Sequence, residues 1–255
     1  MCLILFAYQV HPDYPLIMAA NRDEFYERAT APAAFWEEEP YVLAGRDLEK
    51  GGTWMGVTRS GRFAAITNYR APGQNRSDVK SRGFLVSDYL TGTEDPRAYL
   101  QKVQQERQLY NGFNLLAGNT ESLYYYSPIV DEIKKVSPGI HGLSNAVLDT
   151  PWPKVRKGSE KLVRALSREK IDATLLLSIL SDSEEAPVEE LPETGVGMEW
   201  EKLLSPLFIQ SEKYGTRSST ILTINRDLDV VFAEKFLLPD SNQWKDSRFV
   251  FSIKE

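Results

Sequence analysis

Cysteine occurs once in these 255 residues, at position 2, directly behind the initiator methionine. It opens the apolar run Leu3-Ile4-Leu5-Phe6-Ala7-Tyr8, which reads as a buried strand, so the chain is anchored in a sheet from its start. Removal of Met1 would leave a thiol and a free α-amine on the same residue. An α-amine with a pKa near ~8 takes a thiol proton at neutral pH without help from a histidine. Two other readings of Cys2 remain open on the residues alone. It is a small buried hydrophobe at the head of a strand, or a terminal thiol carrying an acyl anchor.

The rest of the composition narrows the choices. With 42% apolar and 26% charged residues, the chain has the make-up of an ordinary globule, long enough to bury a sizeable core. The net charge of −6 leaves no basic surplus to neutralise phosphates, so no nucleic-acid partner is expected. One cysteine allows neither an internal disulfide nor a cysteine-cluster metal site, and no metal is expected. The opening apolar run is too short to span a bilayer and lacks the basic flank and cleavage site of a secretory signal. The expectation is a cytoplasmic protein with no integral membrane segment. No repeat or linker divides residues 1–255, so one domain is expected, of open oligomeric state.

Strand patterns dominate the first third, at 2–10, 15–20, 41–44, 53–58 and 62–68, with Arg59-Ser60-Gly61 as a hairpin turn. Helices are expected over 78–91 and over 95–109, the second opened by Asp95-Pro96 as N-cap and first helical residue. Strands return at 113–118, 121–127, 133–136 and 139–144. Helices follow at 153–168, 172–181 and 198–205, and strands at 218–224, 229–236 and 248–253. The acidic Pro- and Gly-containing stretch Ser183–Gly197 reads as an exposed loop, or as a lid over a pocket. Strands at both ends enclosing central helices point to a mixed sheet architecture, not to alternating β-α units.

Chemistry-bearing residues gather in a few places. Asn21-Arg22-Asp23-Glu24 directly follows an apolar strand that would pair with the strand of Cys2. A carboxylate there could hold an α-ammonium, and an arginine could lower a thiol pKa; the plain alternative is a solvated ion pair. Asn68 and Asn145 stand at strand ends, where an amide donor suits an oxyanion hole or simply forms a turn. Arg217, just before a late strand, is an anion-binding candidate or a surface charge. Of the two histidines, His11 lies in a turn beside Pro12. His141 is a candidate polar contact of a pocket or a satisfied structural histidine.

The Met-Cys start, Asn21-Arg22-Asp23-Glu24, Gly51-Gly52-Thr53-Trp54-Met55-Gly56, Thr67-Asn68-Tyr69 and His141-Gly142-Leu143-Ser144-Asn145 together resemble the NRDE family, which includes transport and Golgi organisation proteins. That family in turn resembles the N-terminal-nucleophile hydrolases that begin with cysteine. The resemblance implies an α+β fold, a four-layer αββα sandwich of that hydrolase type. It implies Cys2 as nucleophile, Asp23 as the carboxylate on the next strand, Asn68 as oxyanion donor, Asn145 as the amine contact and Arg217 as the late arginine. Asn21, Arg22, Tyr69 and His141 are then candidate substrate contacts. One departure stands out: the hydrolases carry an arginine three residues before the aspartate, where this chain has Ala20. Arg22 instead adjoins Asp23, and neighbours on a strand face opposite sides.

Two functions follow as expectations. One is a cofactor-free hydrolase that cleaves an amide or thioester bond in a small acylated substrate. The other, implied by links of the family to haem movement and acyl-CoA metabolism, is a carrier binding haem or an acyl-CoA-like ligand, with Cys2, His141 or a tyrosine as axial ligand.

Overall fold

A computed structural model describes residues 2–168, 171–238, 241 and 243–254. In chain order the first strands are β1 (Cys2–Tyr8), β2 (Leu16–Phe25), β3 (Thr30–Phe35), β4 (Val42–Asp47), β5 (Met55–Thr58) and β6 (Phe63–Asn68). Helices α1 (Phe84–Thr91) and α2 (Pro96–Gln105) follow, then β7 (Phe113–Gly118), β8 (Leu123–Ser127), β9 (Glu132–Lys135) and β10 (Gly139–Leu143). Helices α3 (Pro153–Leu166), α4 (Ala173–Leu180) and α5 (Met198–Leu203) precede β11 (Tyr214–Ile224), β12 (Asp229–Leu237) and β13 (Trp244–Ser252).

The chain divides into two compact units. The first comprises Met1–Glu27, Pro138–Ser144 and Leu148–Phe251. It holds a six-stranded sheet in the order β10-β1-β2-β11-β12-β13. Register sets Cys2 opposite Arg22 and Leu3 opposite Asn21. By the two-residue period of a strand, Leu3, Leu5, Ala7, Ile17 and Ala19 share one face, which packs on α3 and α4 through Val155, Leu162, Leu176 and Leu180. Each such buried aliphatic side chain contributes about 1.5–3 kcal/mol. Gly158 lets α3 lie directly on β1, because a Cβ there would sit 2.6 Å from Leu5 Cδ1.

The second unit comprises Arg28–Ser137, Asn145–Val147 and Ser252–Glu255. Its seven-stranded sheet runs β3-β4-β5-β6-β7-β8-β9 in sequence order, covered on one face by α1 and α2 through Leu85, Tyr89, Leu100 and Val103. The expected cap of α2 is present: Asp95 Oδ1 accepts from the Arg97 N–H at 2.8 Å, and Pro96 is the first helical residue.

Several boundaries differ from those expected. Strand β3 went unpredicted because Pro32 and three alanines give little strand signal; as an edge strand with a register shift, β3 tolerates the proline's missing N–H. Helix α1 starts at Phe84 rather than 78, since Lys80 bridges to Tyr110 and Gly83 is pressed against Gly52. Strand β2 runs on through Phe25, so Asn21-Arg22-Asp23-Glu24 lies within a strand and not after one. Strand β11 begins at Tyr214, which puts Arg217 inside it. His11, in its turn beside Pro12, is buried, with Tyr14 edge-on to its ring.

A Cβ on Gly52 would lie 2.4 Å from the Gly83 carbonyl carbon, a backbone atom with no rotamer to yield. Gly52→Ala is expected to cost about 1–3 kcal/mol as an overpacked contact, read as a lower urea midpoint with unchanged slope.

Candidate active site

The site in the first unit is built on the end of β1 and the overhang of β2. Among the described residues the pairing of the two strands runs to Cys2–Arg22, and Asp23, Glu24 and Phe25 pair with β11. Cys2 and Arg22, as register partners, present their side chains to one face of the sheet; Asn21 and Asp23 present theirs to the helix-facing side. The adjacency of Arg22 and Asp23 in sequence therefore separates them in space.

Cys2 is a free thiol on a half-buried residue. Burial pushes the thiol up from its ordinary pKa, and the Asp23 carboxylate adds to that; Arg22 and the Asp23 backbone N–H, which donates to the sulfur, pull the other way. The balance is a neutral thiol that needs a base, which is what a terminal amine would supply. Met1, whose removal frees that amine, lies outside the described residues. Ser144, just after β10, donates its hydroxyl to the Cys2 carbonyl at 3.1 Å and so fixes the backbone at Cys2.

Asp23 is 1% exposed. Its Oδ1 accepts from the Thr216 hydroxyl at 2.7 Å, and Thr216 Oγ1 accepts in turn from the Ile209 N–H at 2.9 Å. Burial raises the Asp23 pKa, while the charge of Lys154, the Thr216 hydroxyl and Arg22 oppose the rise. Thr216 and Lys154 are site residues that sequence reasoning missed. A signal existed for Lys154: it stands one turn before Gly158 on the buried stripe of α3.

Arg217 is neither exposed nor ahead of its strand. It is 4% exposed and sits where the β11 register shifts, between Thr216 opposite Asp23 and Ser218 opposite Arg22. Its Nη1 donates to the Phe25 and Tyr26 carbonyls at 2.9 Å each, closing the end of β2 onto β11. Burial, with Arg22 nearby, lowers its pKa. A bulge of this kind re-aims a side chain that regular pairing would turn away.

The other candidates fall into three groups. Asn21 ties elements together: its amide donates to the Leu180 and Leu207 carbonyls at 2.9 and 2.7 Å, and its oxygen accepts from the Ser219 hydroxyl at 2.6 Å. His141 pairs opposite Phe6, four residues along β1 from Cys2, roughly 13 Å at the rise of a strand. It stacks on Phe6, and its Nδ1 lies 2.8 Å from Asp149 Oδ2. Cys2 and His141 thus do not form a thiol–imidazole dyad. In the second unit, Asn68 closes β6 as expected, and Asn145 Nδ2 donates to the Asn68 carbonyl at 2.8 Å. Arg70 N–H donates to the Asn145 carbonyl at 2.8 Å, and Tyr69 N–H to Gly112, so this turn is held on both sides.

A cleft of about 570 Å³ lies elsewhere in the first unit, between α4 and strands β12 and β13, with Leu177, Phe208 and Trp244 in its walls. None of the expected catalytic residues lines it. Among the described residues, no group of three His, Cys, Asp or Glu side chains is placed to hold a metal ion, and no helix is long and apolar enough to cross a membrane.

Two helix-backed antiparallel sheets with a cysteine heading a strand define an N-terminal-nucleophile hydrolase fold, as the sequence implied. A Caenorhabditis elegans N-acylethanolamine-hydrolyzing acid amidase (NAAA) ortholog shares that fold with a TM-score of 0.53 at 10% identity, over 87% of this chain and 92% of the amidase. Residues 1–239 match the family described as Transport and Golgi organisation 2, and the chain belongs to that family. It is 36% identical to the Transport and Golgi organization protein 2 homolog of Bos taurus over 280 residues, covering 100% of both chains. Against Transport and Golgi organization protein 2 of Drosophila melanogaster it is 28% identical over 273 residues, 96% of this chain and 95% of the relative.

Thr216→Val would strip Asp23 Oδ1 and the Ile209 N–H of their shared partner; a loss of about 1–3 kcal/mol is expected in urea denaturation. The raised Asp23 pKa also gives stability a pH dependence. A group whose folded pKa lies above its unfolded value stabilises fully below the unfolded value, and that contribution fades as pH rises through the folded one. Measured against Asp23→Asn, the unaltered protein is expected to lose relative stability as pH climbs from about 4 toward neutrality.

Proposed function

We propose that this protein is an N-terminal-nucleophile-type hydrolase that uses Cys2 to cleave an amide or thioester bond in a small acylated substrate. The observation that carries the reading is the setting of Cys2, at the head of β1 with Arg22 opposite and the Asp23 N–H donating to its sulfur. The amidase whose fold is similar acts, as its name states, on N-acylethanolamines, which supports testing N-acyl amides first.

In this reading Met1 is removed and the freed α-amine takes the Cys2 thiol proton as Sγ attacks the substrate carbonyl. A backbone N–H stabilises the oxyanion of the tetrahedral intermediate. The ammonium then returns its proton to the departing amine or thiol, leaving an acyl group on Sγ. Water, deprotonated by the same amine, releases the acid and restores the thiol. Asp23 holds the amine, and Arg217 secures the strand end on which Asp23 lies.

A panel of N-acyl amides and acyl thioesters, assayed with purified protein, tests this. Cys2→Ala is expected to abolish turnover. Turnover that survives Cys2→Ala sinks the hydrolase reading. Binding of haem or an acyl-CoA-like ligand without turnover is the reading left standing if no substrate is cleaved and Cys2→Ala binds as the parent does.

A further inference from the structure

The sheet of the first unit is wider than the two helices that lie on it. Six strands spaced about 4.8 Å apart span roughly 25 Å, and a helix with its side chains covers only about 10 Å. Helix α3 lies on β10 and β1, and α4 on β2 and β11. The outer pair β12 and β13 comes next in the strand order, and there the cleft of about 570 Å³ opens beside α4. By the two-residue period of a strand, Ala233 and Lys235 of β12 share one face, as do Trp244, Asp246 and Arg248 of β13. All five line the cleft. Ala233 belongs to the core under α3 and α4, which fixes that face as the helix side. By the same period Glu234 turns its carboxylate to the opposite face, where it accepts from the Thr220 hydroxyl at 3.4 Å.

The walls of the cleft are apolar. Phe208 and Trp244 set their rings 5.5 Å apart, and Leu177 of α4 adds an aliphatic side. Ser178 and Ser181, along the same edge of α4, donate their hydroxyls to carbonyls of their own helix at 2.6 and 2.9 Å. That leaves Lys235 and Arg248 as the charged donors of the cleft. Among the described residues, neither of them forms an ion pair, and nor does Asp246. By contrast, Lys157 and Lys161 pair with Asp182, and Lys202 with Glu185. Two cations against one carboxylate give this face a surplus of positive charge in a chain of net charge −6.

We propose that the cleft is a binding site, separate from Cys2, for a small amphiphilic carboxylate. Its apolar body lies against Leu177, Phe208 and Trp244, and its anionic end meets Lys235 and Arg248. Small-molecule sites have this make-up, a mostly apolar hollow with a few polar groups that orient the ligand. The proposal does not depend on the hydrolase reading, since none of the expected catalytic residues lines the cleft.

Calorimetric titration of the full chain with octanoate, and with 1-octanol as its uncharged counterpart, tests it. Octanoate is expected to bind at one saturable site with a Kd below about 1 mM. Lys235→Met combined with Arg248→Met is expected to weaken octanoate about tenfold and to leave octanol unchanged. Leu177→Trp fills the cleft and is expected to abolish binding of both. Should Leu177→Trp fail to fold, the contrast between octanoate and octanol in the double variant decides. Cys2→Ala is expected to bind octanoate as the parent does. Heat that does not saturate, octanoate binding that either cleft variant leaves intact, or its loss in Cys2→Ala overturns the proposal. So does a dimer in light scattering that Trp244→Ala dissociates, because a second copy of the chain would then cover the cleft. Turnover of an acyl substrate, or its absence, changes none of these outcomes.

Discussion

The register of β1 on β2 governs what the first unit can do. Among the described residues, Cys2 opposite Arg22 makes the nucleophile candidate the last paired residue of β1, with β2 running three residues further. A slip by one residue would turn Leu3 and Leu5 away from α3 and carry Cys2 to the helix face, so the apolar core under α3 and α4 enforces the placement of the thiol. The chemistry inherits its geometry from the burial of leucines and alanines well inside the strand.

Around that overhang the chain concentrates polar groups where a sheet normally keeps aliphatic ones. Asn21, Asp23, Thr216 and Ser219 are all nearly inaccessible, and each hydrogen-bonds to a group distant in sequence. Buried polar groups of this kind destabilise unless paired, and Arg217, placed at a bulge, keeps the strand ends together by donating to two backbone carbonyls. A region so ordered is suited to hold a small set of atoms in one geometry, and it resists substitution of any member.

Much of the fold was legible in the sequence. The apolar opening gave β1, Asp95-Pro96 gave the start of α2, and Asn68 does end a strand. What misled was the polar run after Ala20. Hydrophobic periodicity reads four polar residues as the end of a strand, but here they continue it, because their partners are the Leu207 carbonyl and the Thr216 hydroxyl, more than 180 residues onward. The same distance hid Thr216. Arg217 was misplaced ahead of its strand because a bulge has no periodic signature.

The fold and family are shared with proteins whose names describe different things: one an amidase, the others transport and Golgi organisation. A fold hosts a site without dictating it, so the central claim turns on the first residues of the chain. Intact mass of the purified protein, before and after iodoacetamide, addresses that claim most directly. The account predicts a mass short by one methionine and rapid addition of a single adduct at Cys2. A protein that keeps Met1 and leaves its one thiol unmodified would contradict it.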